Sequence, residues 1–141
     1  MKLQKHHAED RSTFDGIARS FSRRLRAGDV VALSGGVGAG KTTFVAAAVA
    51  ALQGRRPTSS PTFLFWQRYP GPPPVEHLDF YRIDDPRDAI ELGLHEAFET
   101  GNIVLVEWPE RLEALLPSVT FRVHIAGCGE GARELTIASP H

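Results

Sequence analysis

Cysteine, methionine and long apolar runs are what this chain has least of. One cysteine, Cys128, and one methionine occur among 141 residues, so no internal disulfide can form, and no Cys/His cluster has zinc spacing. That suits a reducing compartment and predicts a free thiol in a turn. The longest apolar run, Phe44 to Leu52, falls far short of the ~20 residues a membrane-spanning helix needs. Met1 to Asp10 holds no apolar signal core, which predicts a cytoplasmic protein. Charge of one sign is missing too: 16 Lys and Arg against 17 Asp and Glu leave a net charge of −1. Such a balance directs no global field at nucleic acid or anionic lipid. The length predicts a single domain over residues 1–141.

What is present centres on one stretch. Gly35-Gly36-Val37-Gly38-Ala39-Gly40-Lys41-Thr42 fits G-x-x-x-x-G-K-[ST], the phosphate-binding loop of nucleoside triphosphate hydrolases. A polyphosphate carries dense negative charge, and a short glycine loop can curl to meet it with several backbone N–H groups at once. In that motif Lys41 reaches the β- and γ-phosphates, the Thr42 hydroxyl ligates Mg²⁺, and the next helix points its positive end at the anion. The context agrees. Val30 to Ser34 reads as a buried parallel strand, and Phe44 to Leu52 as a helix apolar on nearly every side, ended by Gly54. Such a helix is expected to lie buried between layers.

Around this core the pattern is α/β. Ser12-Thr13-Phe14-Asp15 resembles a capping box, opening a helix that buries Phe14, Ile17, Phe21 and Leu25 and leaves Arg19, Arg23, Arg24 and Arg26 as a solvated face. Met1 to His7 allows a brief edge strand. Phe63 to Tyr69 and Val75 to Phe80 are strand-like across a proline-rich turn, as a hairpin or as neighbours. Asp84-Asp85-Pro86 starts a helix predicted to run to about Glu99, and Pro109 opens a shorter one to about Leu116. Val119 to Ile125 and Arg133 to Ile137 read as an antiparallel hairpin on the sheet edge. The expected fold is therefore a three-layer, phosphate-loop NTPase-like α/β unit, with a mostly parallel central sheet and an antiparallel C-terminal hairpin.

Three further positions carry chemistry. Asp79 ends one core strand, where α/β sheets bind ligands, and is a metal candidate, although an isolated acid there also suits a loop cap. Glu107 ends the apolar strand Ile103 to Val106 and is a second metal or catalytic candidate, since a buried strand delivering a carboxylate is how Mg²⁺ is held beside a triphosphate. Thr62 lies in the hydroxyl-rich segment after the loop helix, where related proteins often sense Mg²⁺ and the γ-phosphate; on local pattern an inert loop fits as well. His77 reads as a satisfied core histidine rather than a base. With no N-K-x-D motif to specify guanine, ATP is the expected nucleotide. Two other readings use the same loop: a small kinase or phosphotransferase, and a non-catalytic module that binds ATP as a conformational ligand. Few arginines are placed to reach a transferred phosphate, which predicts slow turnover alone and activation by a partner.

Taken in order, Gly-Ala-Gly-Lys-Thr-Thr-Phe (38–44), Ser-Pro-Thr-Phe (60–63), His-Leu-Asp-Phe-Tyr-Arg (77–82), Glu-Leu-Gly (91–93) and Val-Glu-Trp-Pro (106–109) resemble the TsaE (YjeE) family over nearly the whole chain. That resemblance implies a Mg²⁺-dependent ATPase of tRNA threonylcarbamoyladenosine synthesis, working with the TsaD and TsaB proteins and reaching tRNA through that complex. By the same analogy the run from Gly35 through Thr43 binds nucleotide, Lys41 and Thr42 meet phosphate and Mg²⁺, and Thr62 lies in a nucleotide-sensing switch. Asp79 and Glu107 would serve the metal and the attacking water, Trp108 would sit beside the site, and Arg133 would approach the nucleotide. One departure stands out: the family usually has Gly-Asp before Leu-Gly-Ala-Gly-Lys, where this chain has Gly35-Gly36-Val37.

Overall fold

The computed structural model describes residues 2–58 and 65–140. Strand β1 (Lys2–Ala8) leads into helix α1 (Arg11–Ser22), then β2 (Val30–Ser34) and α2 (Lys41–Gln53). After β3 (Trp66–Tyr69) and β4 (Val75–Asp79) come α3 (Pro86–Glu91), a 3-10 segment (Leu94–Glu99), β5 (Ile103–Glu107), a second 3-10 segment (Pro109–Leu115), β6 (Phe121–Gly127) and β7 (Arg133–Ser139). Among the described residues one mixed sheet runs β1-β7-β6-β2-β5-β4-β3. Its four central strands are parallel, and β1, β7 and β3 join antiparallel at the two sides.

Strand alternation divides the core in two. Val31, Leu33, Leu105, Val123 and Ile125 face one way and pack with Phe14 and Phe21 of α1 and Phe44 and Val49 of α2. Val30, Leu78, Val104 and Val106 face the other and meet Ala89, Leu94, Ala97 and Leu112 from α3 and the 3-10 segments. This is the expected α/β arrangement of helical layers about a sheet. Near α2 three aromatic rings lock together: Phe44 lies 6.1 Å from Phe14, edge to face, and 5.6 Å from Phe21, a geometry the ring quadrupoles favour.

Several local expectations change. Asp10, not Ser12, caps α1: its carboxylate accepts from the Thr13 N–H at 2.8 Å, while Asp15 pairs with Arg11 one turn away. Helix α2 is not enclosed between layers. Phe44, Val45, Ala48 and Val49 are buried, but Ala46 is exposed and Ala47, Ala50 and Ala51 are partly so; small methyl side chains let an all-apolar helix keep an open face at little cost. The helix from Pro86 stops at Glu91, because Gly93 turns with φ +75° and a tighter 3-10 segment follows; the hydrophobic spacing continued through that break. The C-terminal hairpin forms with β6 and β7 paired antiparallel, yet it is internal: β6 pairs with β2, and β1 covers β7 as the edge strand. A hairpin pattern is local, whereas its place in the sheet depends on which distant strand it meets.

Candidate functional site

Every strand of the site ends on the same side. The register sets Leu33 of β2 beside Glu107 of β5, and Glu107 beside Asp79 of β4. The parallel central strands thus bring an acid from each of two strands to the exit of the glycine loop. Burial of β2 and β5 fixes that register, since a slip of one residue would turn each carboxylate to the opposite face.

Between β2 and α2 the loop depends on glycine at two close approaches. Gly35 has φ +147°, and a Cβ there would lie 2.4 Å from the Ile125 carbonyl oxygen; Gly40 has φ +116°, with the Phe14 ring 3.2 Å from where a Cβ would be. Helix α2 starts at Lys41 with no side-chain cap, so its first-turn N–H groups have no acceptor within the helix. An uncapped helix start facing a cavity fits an anion.

Lys41 is 5 % exposed, and its ammonium donates to the carbonyl oxygens of Gly35 (2.6 Å) and Gly36 (2.8 Å). The Trp108 ring lies over it, with the nitrogen 4.2 Å from the ring centre. Burial pushes the Lys41 ammonium below the ordinary lysine value of 10.5, opposed by the charges of Glu107, Glu110 and Asp79. Trp108 itself has φ +58° and stacks 4.8 Å from Tyr81, and the Arg111 guanidinium lies over both rings.

Glu107 is 3 % exposed. The Thr42 hydroxyl lies 3.1 Å from each of its carboxylate oxygens, and Nε2 of His77 lies 2.7 Å from Oε2. Asp79 accepts from the Tyr81 backbone N–H at 3.0 Å, so it caps the turn after β4 while also lining the site. A cavity of about 300 Å³ joins these groups, lined by Val37, Lys41, Thr42, Asp79, Glu107 and Trp108 among others. Among the described residues no group of three or more His, Cys, Asp or Glu side chains could hold a metal ion. Thr42, Asp79 and Glu107 line the cavity with one hydroxyl and two carboxylates, a set compatible with a cation whose other ligands are water and phosphate, which is how Mg²⁺ is usually bound.

Arg133 stands behind the loop. Its Nε donates to the Ala39 carbonyl at 2.8 Å and Nη2 to that of Gly38 at 3.3 Å. It also lines a second cavity, of about 200 Å³, with Asp10, Arg11, Phe14 and Thr43. Arg68 is committed elsewhere, to the fully buried Glu76, which also accepts from Trp66 and Asn102. Thr62 lies outside the described residues. His77, read from the sequence as a core histidine, also reaches the site: alternation on β4 put it on the face of Asp79, but only the pairing of β4 with β5 brings it to Glu107.

Residues 8–135 match the family model described as threonylcarbamoyl adenosine biosynthesis protein TsaE. The chain is 34 % identical over 140 residues to the tRNA threonylcarbamoyladenosine biosynthesis protein TsaE of Bacillus subtilis, covering 99 % of this chain and 87 % of that one. To the protein of the same name from Treponema pallidum it is 30 % identical over 138 residues, covering 98 % and 100 %. The crystal structure of Bacillus subtilis YdiB superposes with a TM-score of 0.81 at 30 % identity, covering 99 % of this chain and 87 % of that one. No helix among the described residues is long and apolar enough to cross a membrane.

Proposed function

Because this chain belongs to the TsaE family of threonylcarbamoyl adenosine biosynthesis proteins, we propose that it is a Mg²⁺-dependent ATPase that serves tRNA threonylcarbamoyladenosine formation in the cytoplasm, acting with the TsaD and TsaB proteins. The observation that carries this reading is the convergence of Lys41, Thr42, Asp79 and Glu107 on one cavity at the start of α2. In this reading Gly35 through Thr43 cradle the phosphates, and the second cavity, which shares Gly38, Gly40 and Thr43 with the first, takes the nucleoside.

Each side chain then has a physical task. Lys41 exchanges the Gly35 and Gly36 carbonyls for phosphate oxygens, which are stronger acceptors for a partly desolvated ammonium. Thr42, Asp79 and Glu107 would hold Mg²⁺ or its waters, and Mg²⁺ when bound supplies charge neutralisation across the phosphates. The buried Glu107 carboxylate, held beside its two donors, is poised to orient a water and accept its proton. Trp108 covers Lys41 and limits bulk water over the phosphate end. Arg133 braces the loop through the Gly38 and Ala39 carbonyls and lines the cavity that takes the nucleoside. Arg111 is tied to Asp84 at 3.0 Å, which supports slow turnover until a partner supplies a cation to the transferred phosphate.

The test is Mg²⁺-dependent release of phosphate from ATP by the purified chain, alone and with folded, bound TsaD and TsaB. Strong stimulation by the partners is expected. Equal rates with and without them would remove the partner-activated reading, and nucleotide binding without any phosphate release would leave a binding module.

A further inference from the structure

Glu107 is held by two donors of unequal quality. The Thr42 hydroxyl carries one proton and lies 3.1 Å from both Oε1 and Oε2, so it serves one oxygen at a time. His77 Nε2 is closer, 2.7 Å from Oε2, and its ring is buried within β4 at 7 % exposure. Thr42 sits on the exposed start of α2, whereas His77 is fixed by strand pairing on both sides, opposite Gln67 of β3 and Leu105 of β5.

The other ring nitrogen decides the tautomer. Among the described residues His77 Nδ1 is buried without a partner. A proton on Nδ1 would bury an unpaired N–H and also turn the Nε2 lone pair against a carboxylate, two costs at once. A proton on Nε2 leaves only an unpaired acceptor and makes a charge-assisted bond to Glu107.

We propose that His77 is the positioning residue of this site: its Nε2–H fixes the rotation of the Glu107 carboxylate, which lines the cavity, and leaves Oε1 with the Thr42 hydroxyl alone among the described residues. The carboxylate's task, metal and water orientation, rests on the ATPase reading; the hydrogen bond that sets its angle does not. Partners of this kind typically change metal affinity by about 10–100-fold when removed.

Two measurements decide it. In the metal-free, nucleotide-free full chain labelled with ¹⁵N-histidine, the long-range ¹H–¹⁵N spectrum should show His77 as the Nε2–H tautomer, with a shift that moves in Glu107→Gln. In a Mg²⁺ titration of ATP binding, His77→Leu should weaken the Mg²⁺ midpoint by about tenfold or more while metal-free ATP affinity stays at the parental value. His77→Gln, whose amide N–H reaches the same place, should restore most of the loss. An Nδ1–H tautomer, or a parental Mg²⁺ midpoint in His77→Leu, overturns the proposal. Should His77→Leu fail to fold, the spectrum and a parental-to-Gln comparison decide in its place. A parental chain that binds no ATP would sink the ATPase reading, and the tautomer would still decide for or against the positioning bond.

Discussion

The Thr42 hydroxyl lies 3.1 Å from both carboxylate oxygens of Glu107, a contact across 65 residues of sequence. It links the first turn of α2 to the tip of β5, so the loop and the acid are one unit.

Glu107→Gln keeps the shape and a hydrogen-bonding group but removes the charge that accepts a proton. ATP binding is expected to persist while single-turnover hydrolysis slows by about 10²-fold or more, the usual size of a general-base effect. Normal single-turnover rates would take this role from Glu107.

Lys41→Ala should abolish ATP binding in a calorimetric titration, because the phosphates lose the cation at the loop's centre. Unchanged affinity would refute the loop assignment. The parental residue also predicts a pH effect. Its ammonium is depressed below 10.5 by burial, so the free chain releases this proton at a lower pH than an ordinary lysine, and ATP affinity should fall as the pH rises through that depressed value. Stability runs the other way. Between the folded and unfolded values the unfolded chain holds more protons, so the cost of burying charged Lys41 is full below the folded value and disappears above 10.5. Affinity that stays flat until pH 10.5 would contradict the burial argument.

Gly35→Ala forces a methyl to within 2.4 Å of the Ile125 carbonyl oxygen in a backbone region that L-residues avoid. Local strain of about 1–3 kcal/mol is expected in denaturant unfolding, together with weaker ATP binding as the loop shifts. A variant with parental stability and affinity would show that the loop tolerates a side chain here.

Phe44→Ala removes a fully buried ring packed on Phe14 and Phe21. The expected loss is about 3–5 kcal/mol in chemical denaturation. A loss below about 1 kcal/mol would mean that the core collapses around the gap, contrary to the fixed positions of α1 and α2.

Much of the site was legible because its parts are local. The glycine loop is contiguous, a strand must precede it and a helix must follow it, and an acid at the end of an apolar strand announces itself by a single change of polarity. Gly35 through Thr42 and Glu107 needed no knowledge of distant neighbours. His77 did. Its alternation with Asp79 was visible, but its carboxylate partner is 30 residues away on another strand. Arg133 was read from its hairpin turn as a group approaching nucleotide; that its guanidinium also bonds the Gly38 and Ala39 carbonyls depends on how the hairpin docks.

The amino-acid order by itself determined the elements that short-range rules govern: the loop, the helix ended by Gly54, the β6–β7 hairpin and the two acid-tipped strands. Only the tertiary structure decided that the β6–β7 hairpin lies inside the sheet, that α2 keeps an open alanine face, and that Asp79, Glu107 and Leu33 stand in register. The division has a physical cause. Dihedral preferences, caps and hydrophobic period act over a few residues, but strand order and the donors around a buried carboxylate are set by whichever distant groups bury the most apolar surface and leave the fewest polar atoms unpaired.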